Sequence, residues 1–449
     1  MLYYCVFLFF ERKNTKMQMI FCNDPERDQK LAALYCRPAA PDTIEQAVAG
    51  IVDDVRVNGD DAIVAYLKKF DGVDFTPADF FVTPDEIAEA ERAVSSAMKR
   101  TIRRALKNIQ TFAKKTLPVN WQFSPRPGVI QGERFTPMDR VGCYIPGGTA
   151  PLVSTAIHTV GIAKAAGVRE IIATTPPMKN GKVNPATLYA LVAAGATRVC
   201  KLGGAYAVAA LGYGTQTVPR VEKLVGPGNA FVAAAKKRVY GSTAIDMVAG
   251  PSEIMVIADE TANPAFAAAD MLSQAEHGSG LEQSVCVSDS AEMLEAIKKE
   301  YLRQKESLTR QGPVEKVTEN GVFFIQAADM NEAAEIATEY APEHLEIQTA
   351  QPRAVAKNVK AAGAIFLGHW TPEPAGDFTA GPSHVLPTAG TAKFFHGISG
   401  ADFMRRSSII EYKKKALLAE VDDIVRFAEM EGLDAHGRSA SVRKDSRKK

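Results

Sequence analysis

Among the seven histidines of this 449-residue chain, His277 follows Gln274 by three positions in the run SQAEHG. The apolar pattern predicts a helix over residues 263–277, with Asn263 as N-cap and Pro264 at the first helical position. Residues three apart project from one helix face, so an imidazole nitrogen and an amide oxygen could meet one ion, and zinc accepts both. The alternative is a helix terminus at which His277 interacts with the negative end of the helix dipole.

A second group of residues could move protons. Glu343 and His344 are adjacent and follow Pro342, which ends one helix before a strand-like run begins. Imidazole titrates near neutral pH and a carboxylate can activate water, so the pair suits acid–base chemistry. An exposed loop pair is the alternative. Asp377 and His384 lie in a Gly/Pro-rich loop, which is a common place for a functional site.

The other histidines are less informative. Glu431 and His436 lie near the C-terminus on either side of a glycine, a position where a histidine commonly has no role. We expect the remaining histidines to be structural, because one lies on an apolar helix and the others lie in loops without obvious partners. These are His158, His369 and His396.

Two glycine-containing segments, Ile145–Gly148 and Val225–Asn229, each follow a predicted strand and open a predicted helix. The backbone N–H groups at a helix N-terminus can approach a phosphate. The chain contains no G-x-G-x-x-G run, however, so these segments predict a ligand at strand ends without naming NAD.

The elements that would position these residues form an α/β series. The pattern is helical from Thr43 to about Leu117, and it then changes to short apolar strands that alternate with helices. Such a series predicts parallel sheets covered by helices on both faces. A final helical arm is predicted over residues 421–431. The predicted strands are 141–145, 170–174, 198–202, 221–225, 253–258, 285–287, 322–325 and 364–366; the helices between the first of them are 151–166, 185–194, 205–211 and 229–239.

Composition sets broad limits. The formal net charge of +1 gives no indication of nucleic acid or a membrane surface as partner. The six scattered cysteines contain no C-x-x-C pair, which favours a reducing compartment over a disulfide framework. The apolar stretch from Leu2 to Phe10 is too short to span a bilayer and lacks a cleavage signal, so we expect the true start at Met17 or Met19. We interpret the basic tail from Arg443 as a solvated end.

Seven motifs then occur in one order between Val141 and Arg443. They are VGCYIPGGTAPL, VGPGNAFV, AGPSE, MLSQAEHG, APEHLEIQT, AGDFTAGPSHVLPT and EGLDAHGRSASVR. In these motifs the chain resembles the histidinol dehydrogenase family, and seven matches in order are far more specific than any one of them.

The resemblance implies a role for each matching residue. The implied zinc ligands are Gln274, His277, Asp377 and His436, and the implied acid–base pair is Glu343 with His344. The implied substrate contacts are Ser252 and Glu431, together with His344 and the four ligands. The implied NAD contacts are Tyr144, Tyr206 and Asn229, and His384 is implied as a supporting residue.

The resemblance also implies the architecture. We expect two Rossmann-like parallel-sheet domains and a small helical C-terminal arm, in a domain-intertwined homodimer whose sites take Glu431 and His436 from the partner. The expected segments are an N-terminal arm (1–39), a first α/β domain (40–139 with 252–398), an NAD-binding domain (140–251) and a dimerisation arm (399–449). A cytoplasmic enzyme is implied that oxidises L-histidinol to L-histidine with NAD and Zn²⁺.

Two positions depart from the family pattern. Tyr206 stands where the family usually has a glutamine that contacts the cofactor, and Ser383 stands where asparagine is usual. These changes put the cofactor role of Tyr206 and the orientation of His384 in doubt. Two alternatives therefore remain, namely a related zinc/NAD dehydrogenase for another polar alcohol and a non-catalytic zinc-binding dimer.

Overall fold

The computed structural model describes residues 17–37, 42–147 and 151–445. The predictions made for the apolar N-terminal stretch, for Gly148 and for the end of the basic tail therefore fall outside the described residues. The chain divides into two compact units. The first runs up to Thr116 and from Asp139 to Phe403, and the second comprises Leu117–Met138 and the chain from Met404 onward.

The strands of the described residues are β1 (Gln18–Ile20), β2 (Trp121–Arg126), β3 (Val129–Pro137), β4 (Arg140–Tyr144), β5 (Glu170–Thr174), β6 (Arg198–Cys200), β7 (Lys223–Val225), β8 (Ala244–Ile245), β9 (Glu253–Ala258), β10 (Gln283–Ser288), β11 (Val322–Gln326), β12 (His344–Gln348), β13 (Ala364–Leu367) and β14 (Met404–Tyr412).

The α-helices of the described residues are α1 (Arg27–Tyr35), α2 (Asp42–Asn58), α3 (Asp60–Tyr66), α4 (Pro84–Ala93), α5 (Ser96–Lys115), α6 (Val153–Ala165), α7 (Pro185–Ala194), α8 (Gly204–Tyr213), α9 (Ala230–Val239), α10 (Pro264–Ala275), α11 (Ala291–Lys305), α12 (Gln311–Asn320), α13 (Met330–Tyr340), α14 (Pro352–Asn358), α15 (Glu373–Phe378), α16 (Lys414–Glu431) and α17 (Asp434–Asp445).

Two parallel sheets form the core of the first unit. One has the order β1-β11-β10-β9-β12-β13 and the other has the order β6-β5-β4-β7-β8. Every residue of β9 and β10 is buried, as expected for strands covered by helices on both faces. The predicted α/β class with parallel sheets is confirmed, and the predicted strands of this unit occur within a few residues of their expected bounds.

The long helical segment before the first sheet strand packs in a way that the sequence did not indicate. Its helix α2 contacts α8 and α9, while α4 contacts α7 and α5 contacts α6. These contacts join residues 42–115 to helices of the five-stranded sheet, whereas the sequence analysis grouped them with the six-stranded one. Amphipathic periodicity shows that a helix has a buried face without showing what covers that face. The domain bounds themselves stay a prediction.

The second unit contains a sheet that the sequence analysis missed. Strands β2, β3 and β14 form an antiparallel sheet in the order β14-β3-β2, and α16 packs on α17. The predicted arm helix over residues 421–431 is confirmed as the second half of α16. All residues of β2 are exposed, and Pro125 interrupts its short alternation of apolar and polar residues, which weakens the sequence signal for a strand.

Helix α10 begins as its sequence predicts. The side chain of Asn263 accepts a hydrogen bond from the N–H of Ala265 at 2.9 Å, and Pro264 is the first helical residue. No helix in the described part of the chain is long and apolar enough to cross a membrane.

Candidate active site

His344 is the first residue of β12, a strand inside the six-stranded sheet, and Glu343 directly precedes it. The preceding helix ends in a left-handed residue, Ala341 (φ 50°), and Pro342 prevents its continuation. Both acid–base side chains are buried, with relative exposures of 6% and 2%. The predicted junction between elements is therefore present, but the pair is buried and does not lie in an exposed loop.

The backbone of one residue, Glu253, holds both side chains. The Nδ1 of His344 lies 3.1 Å from its carbonyl oxygen, and a carboxylate oxygen of Glu343 accepts its N–H at 2.9 Å. A carbonyl only accepts, so Nδ1 carries the proton in this contact and Nε2 is the nitrogen left to act as a base. In the neutral imidazole the contact thus selects the tautomer in which Nε2 can accept a proton.

The free Nε2 of His344 faces two carboxylates on α15. Glu373 Oε1 lies 3.4 Å from it and Asp377 Oδ1 lies 3.5 Å from it. One ligand atom from each of these three residues lies within 4.8 Å of the others, a spacing that could hold a metal ion. The loop that the sequence predicted to contribute Asp377 therefore brings it to His344, and Glu373 joins them.

Burial and charge shift the acid–base equilibria of this cluster. Burial raises the pKa of Glu343 to about 8, because its neighbours compensate the lost solvation only in part. Burial also lowers the pKa of His344, but the carboxylates of Glu343, Asp377 and Glu373 outweigh it and raise that pKa to about 10. Burial opposes ionisation of Asp377, yet its contacts with His344 and His384 hold its pKa well below the usual range.

Gln274 and His277, at the end of α10, supply two neutral groups that could bind a metal ion. Gln274 is completely buried in the last turn of α10, and among the described residues its Oε1 and Nε2 have no hydrogen-bond partner. The N–H of His277 donates to the Gln274 carbonyl at 3.2 Å, and its imidazole is within electrostatic reach of Asp377 and His344. A buried amide without a hydrogen-bond partner destabilises the fold. Such an amide is therefore expected mainly where a bound ligand or ion satisfies it. An amide, an imidazole and a carboxylate fit zinc.

His384 is held in the same loop by a second histidine. Its Nδ1 lies 3.0 Å from the carbonyl oxygen of Asp377, and its Nε2 lies 3.1 Å from the hydroxyl of Thr155 on α6. Its ring stacks on that of His158 at a centroid distance of 4.2 Å, and its N–H donates to His158 Nδ1. His158 is structural, as expected, but it also positions a residue of the site.

The predicted cofactor residues lie at the carboxyl edge of the five-stranded sheet. Tyr144 ends β4, and its hydroxyl accepts the N–H of Gly204 at 3.0 Å where α8 begins. Asn229 caps α9 by accepting the N–H groups of Phe231 and Val232 at 3.1 and 3.2 Å. Two helix N-termini therefore face this edge, which suits a dinucleotide phosphate.

Comparison with known proteins agrees with these features. Residues 37–444 match the family model described as histidinol dehydrogenase. The chain belongs to the histidinol dehydrogenase family. A histidinol dehydrogenase of Bacillus licheniformis is 44% identical over 398 residues, which cover 89% of this chain and 93% of the relative. The corresponding protein of Clostridium acetobutylicum is 45% identical over 400 residues, which cover 89% and 92%.

A solved structure extends the likeness to the fold. The crystal structure of histidinol dehydrogenase from Elizabethkingia anophelis has a TM-score of 0.90 and 34% identity to this chain, and the match covers 98% of this chain and all of that one. Histidinol dehydrogenases are NAD-dependent oxidoreductases of histidine biosynthesis, so the chain is an enzyme of that class.

The two departures from the family pattern have local explanations. Tyr206 is buried; its hydroxyl donates to Asp71 at 2.6 Å and accepts the N–H of Gly203 at 3.1 Å. A contact between this hydroxyl and NAD would have to replace these bonds, and the cofactor role of Tyr206 stays a prediction. The hydroxyl of Ser383 donates to the His158 carbonyl at 3.2 Å, which attaches the His384 loop to α6.

The remaining expected residues lie in both units. Ser252 directly precedes β9, and its carbonyl accepts the N–H of Gln283 at 3.1 Å. Glu431 ends α16 and His436 lies in the first turns of α17 in the second unit, and both are exposed. Their roles toward the substrate and the metal stay predictions.

A buried polar network that the sequence did not indicate lies behind the cluster. The hydroxyl of Ser273 donates to Glu373 at 2.9 Å, while Glu346 accepts the N–H of Glu373 at 2.6 Å. The amide of Gln348 donates to both Glu346 and Asp270, at 2.8 and 3.0 Å. The four-residue spacing of Glu373 and Asp377 in a helix was the one available signal, because it places two carboxylates on one face.

Proposed function

We propose that this chain oxidises L-histidinol through L-histidinaldehyde to L-histidine, using two NAD molecules, one water molecule and a resident zinc ion. The observation that carries the proposal is the position of His344. Its tautomer is selected by a backbone carbonyl, and its free Nε2 lies 3.5 Å from Asp377, a proposed metal ligand. A base and a metal ligand at this distance could act on the same substrate alcohol.

Gln274, His277 and Asp377 would hold the zinc, together with His436 of the partner subunit. Zinc, when bound, would hold the imidazole and amino group of the substrate and so place its alcohol beside His344. The orphaned, buried amide of Gln274 supports this ligand set, since an ion would satisfy its oxygen. Ser252 and the partner's Glu431 would contact the substrate.

His344 would accept the hydroxyl proton at Nε2 while Nδ1 stays bonded to the Glu253 carbonyl. NAD, when bound, accepts a hydride from the reacting carbon in each of the two oxidations. A cation bound at Asp377 would reduce the negative charge that this carboxylate presents to His344, which would lower the pKa of His344 from about 10 and favour the neutral imidazole that can act as a base.

Glu343 would serve the second half of the reaction. The aldehyde must take up water before it can lose another hydride, and a carboxylate can remove the proton of that water. Burial raises the pKa of Glu343 to about 8, so its carboxyl group can both accept and release a proton near neutral pH. Retention of the aldehyde in one site would protect a reactive intermediate from solvent.

We extend the proposal to the assembly. The exposed positions of Glu431 and His436 support a homodimer in which each arm completes the partner's site. The second unit also exposes large apolar side chains, including Ile410, Phe427 and Met430, at 69%, 64% and 68%. Exposed apolar surface of this kind is common where another chain binds.

The domain assignment and the location belong to the same proposal. Residues 140–251 would form the NAD-binding domain, and all five strands of the smaller parallel sheet fall in this range. A cytoplasmic location is supported by Cys143, Cys200 and Cys286, which are buried free thiols. Thiols persist in a reducing compartment.

The test is the NADH yield of zinc-loaded protein supplied with limiting L-histidinol and excess NAD, with the product identified by mass spectrometry. We expect two NADH per histidinol and histidine as the product. Turnover of another polar alcohol, without turnover of histidinol, would replace the substrate assignment. Zinc binding without oxidation of any alcohol would indicate a non-catalytic zinc-binding dimer.

A further inference from the structure

One buried ion pair holds both peptide groups of Gly226. The Oδ2 of Asp246 accepts the Gly226 N–H at 2.8 Å, and the Nζ of Lys236 donates to the Gly226 carbonyl at 2.9 Å. Lys236 and Asp246 also pair directly, and their side chains are only 2% and 1% exposed. Gly226 is therefore fixed on both sides by charges that solvent does not reach.

A contribution to folding stability alone does not readily explain why a buried ion pair is present here. Two charges removed from water lose solvation that their attraction recovers only in good geometry, and apolar replacements of similar size often serve as well. The pair here joins three separate places, namely α9 through Lys236, the end of β8 through Asp246, and the loop after β7 through Gly226. This arrangement fixes the shape of a loop.

The backbone of this loop adopts an uncommon conformation, which the ion pair helps to hold in place. Gly226 has a φ of 122°, and a Cβ atom there would lie 2.2 Å from the carbonyl oxygen of Tyr144. Only glycine permits this approach. The loop consequently packs against the end of β4 and continues into Asn229, the cap of α9. Tyr144 and Asn229 are the two proposed NAD contacts that flank it.

We propose that Lys236 and Asp246 are positioning residues of the dinucleotide site. They hold the segment from Gly226 to Asn229 against the end of β4, in the conformation that NAD binds. Because the segment is already ordered, little conformational entropy is lost when the cofactor binds. The inference rests on the proposed NAD site and adds residues that would not themselves touch the cofactor.

The test uses two variants. D246N keeps an oxygen for the Gly226 N–H but leaves Lys236 as an unpaired buried charge. The double variant K236M/D246N removes both charges, so that it can fold even if the single variant cannot. For the double variant we expect the Kd for NAD, measured by calorimetry, to rise tenfold or more. We expect the KM for NAD to rise similarly, with kcat within about twofold of wild type.

A second readout separates positioning from general damage. Backbone hydrogen exchange should accelerate in the segment from Gly226 to Asn229 of the double variant, while L-histidinol binding by the zinc-loaded protein stays unchanged. The matched control is D402N, which removes the negative charge from the largely buried pair of Asp402 and Lys223 at the amino end of β7. This control should lower the melting temperature and leave NAD affinity unchanged.

Three results would overturn the inference. The first is wild-type NAD affinity in the folded double variant. The second is an equal loss of NAD and histidinol affinity, which would indicate a merely structural pair. The third is failure of the wild-type protein to bind NAD, which would overturn the proposed cofactor site together with this inference.

Discussion

His344 and Glu343 take their orientation from the backbone of Glu253, which accepts from one side chain and donates to the other. Side chains that share one rigid reference keep a constant relation to each other, as catalytic geometry requires. Their different partners suit the two side chains to the different roles proposed for them. The imidazole has a free nitrogen directed toward Asp377, whereas the carboxylate is bonded at only one of its oxygens by Glu253.

We expect substitutions at these two residues to separate the two oxidations. H344N should slow the oxidation of histidinol about 10²- to 10⁴-fold, because it removes the base for the hydroxyl proton. E343Q should retain the first oxidation and slow the conversion of the aldehyde. Single-turnover NADH formation, started from histidinol and separately from histidinaldehyde, distinguishes these steps. Equal effects of both variants on both substrates would contradict the division of roles.

The carboxyl pair of Asp270 and Glu346 predicts a pH dependence of stability. Burial raises the pKa of both groups, so the folded state retains a proton that the unfolded chain releases as the pH rises above about 4.5. Folding stability should therefore fall as the pH rises from that value through the folded pKa of the pair, by up to about 1.4 kcal/mol per unit of pKa difference.

D270N tests this expectation, because its amide could donate to Glu346 and its oxygen could still accept from Gln348. Denaturant midpoints between pH 5 and pH 9 should decline less in D270N than in wild type. D85N, at an exposed residue of α4, is the control and should follow the wild-type profile. Parallel decline of all three proteins would exclude the pair as the source.

At the scale of single residues, much of the candidate site could be predicted from residue types and short spacings. The other residues could not be predicted because they lie far apart in the sequence. The sequence indicated Gln274 with His277, and Glu343 with His344, as candidates because the two members of each pair lie close together in the chain. Asp270, Glu346 and Glu373 come from three different elements and meet only after the sheet is formed. No spacing rule relates them, apart from the helical spacing between Glu373 and Asp377.

Among the elements, the short helix α15 is the one whose placement most directly sets the position of Asp377, a proposed metal ligand. It carries Gly376 next to that residue, and a Cβ at Gly376 would lie 2.6 Å from the ring of Phe366 on β13. The helix can therefore approach the strand only because position 376 has no side chain. The ring contact fixes how deeply Asp377 enters the cluster.

G376A should therefore weaken zinc binding by at least tenfold, because the added methyl group would push α15 away from β13. Competition with a chromophoric chelator measures the affinity. G50A is the matched control, since Gly50 lies exposed within α2 with no atom near its Cβ position. That variant should gain about 0.5–1 kcal/mol of stability and bind zinc normally. Unchanged zinc affinity in G376A would show that α15 adapts.

Helices and strands could be predicted from the sequence where burial produces a regular pattern or a short run of apolar residues. The strands of the parallel sheets are buried on both faces and appear as short apolar runs, which is why most were found. Strand β14, with the sequence MRRSSIIEY, was not predicted because its residues are almost all exposed and form no buried apolar run. The strands of the antiparallel sheet pair through a ladder of hydrogen bonds, which by itself requires no apolar period in the sequence.

On the scale of the whole molecule, the two parallel sheets present opposite edges to their proposed ligands. Tyr144 and Gly226 lie at the carboxyl ends of strands, which is the usual place for a ligand in such a sheet. His344 lies at the amino end of β12, so the usual rule would not have located it. Helix α6, whose strand neighbours β4 and β5 belong to the five-stranded sheet, contacts the loop of His384 through Thr155 and His158.

The proposed exchange of arms predicts activity in mixtures of two inactive variants. H277A should disable the cluster of its own chain, and H436A should disable the arm that the chain gives to its partner. In a dimer containing one chain of each kind, one site has both defects and the other has neither. Random exchange makes about half of the dimers mixed, so the mixture should recover about a quarter of the wild-type activity.

The recovery should appear only after the two proteins are unfolded and refolded together, because subunits must be exchanged. Each variant refolded alone should stay inactive, and a mixture of H277A with a second cluster variant, D377N, should also stay inactive because no site is then intact. If His436 instead served its own chain, every mixture would lack an intact site and no activity would return. The assay thus decides between arm exchange and an arm that folds back on its own subunit.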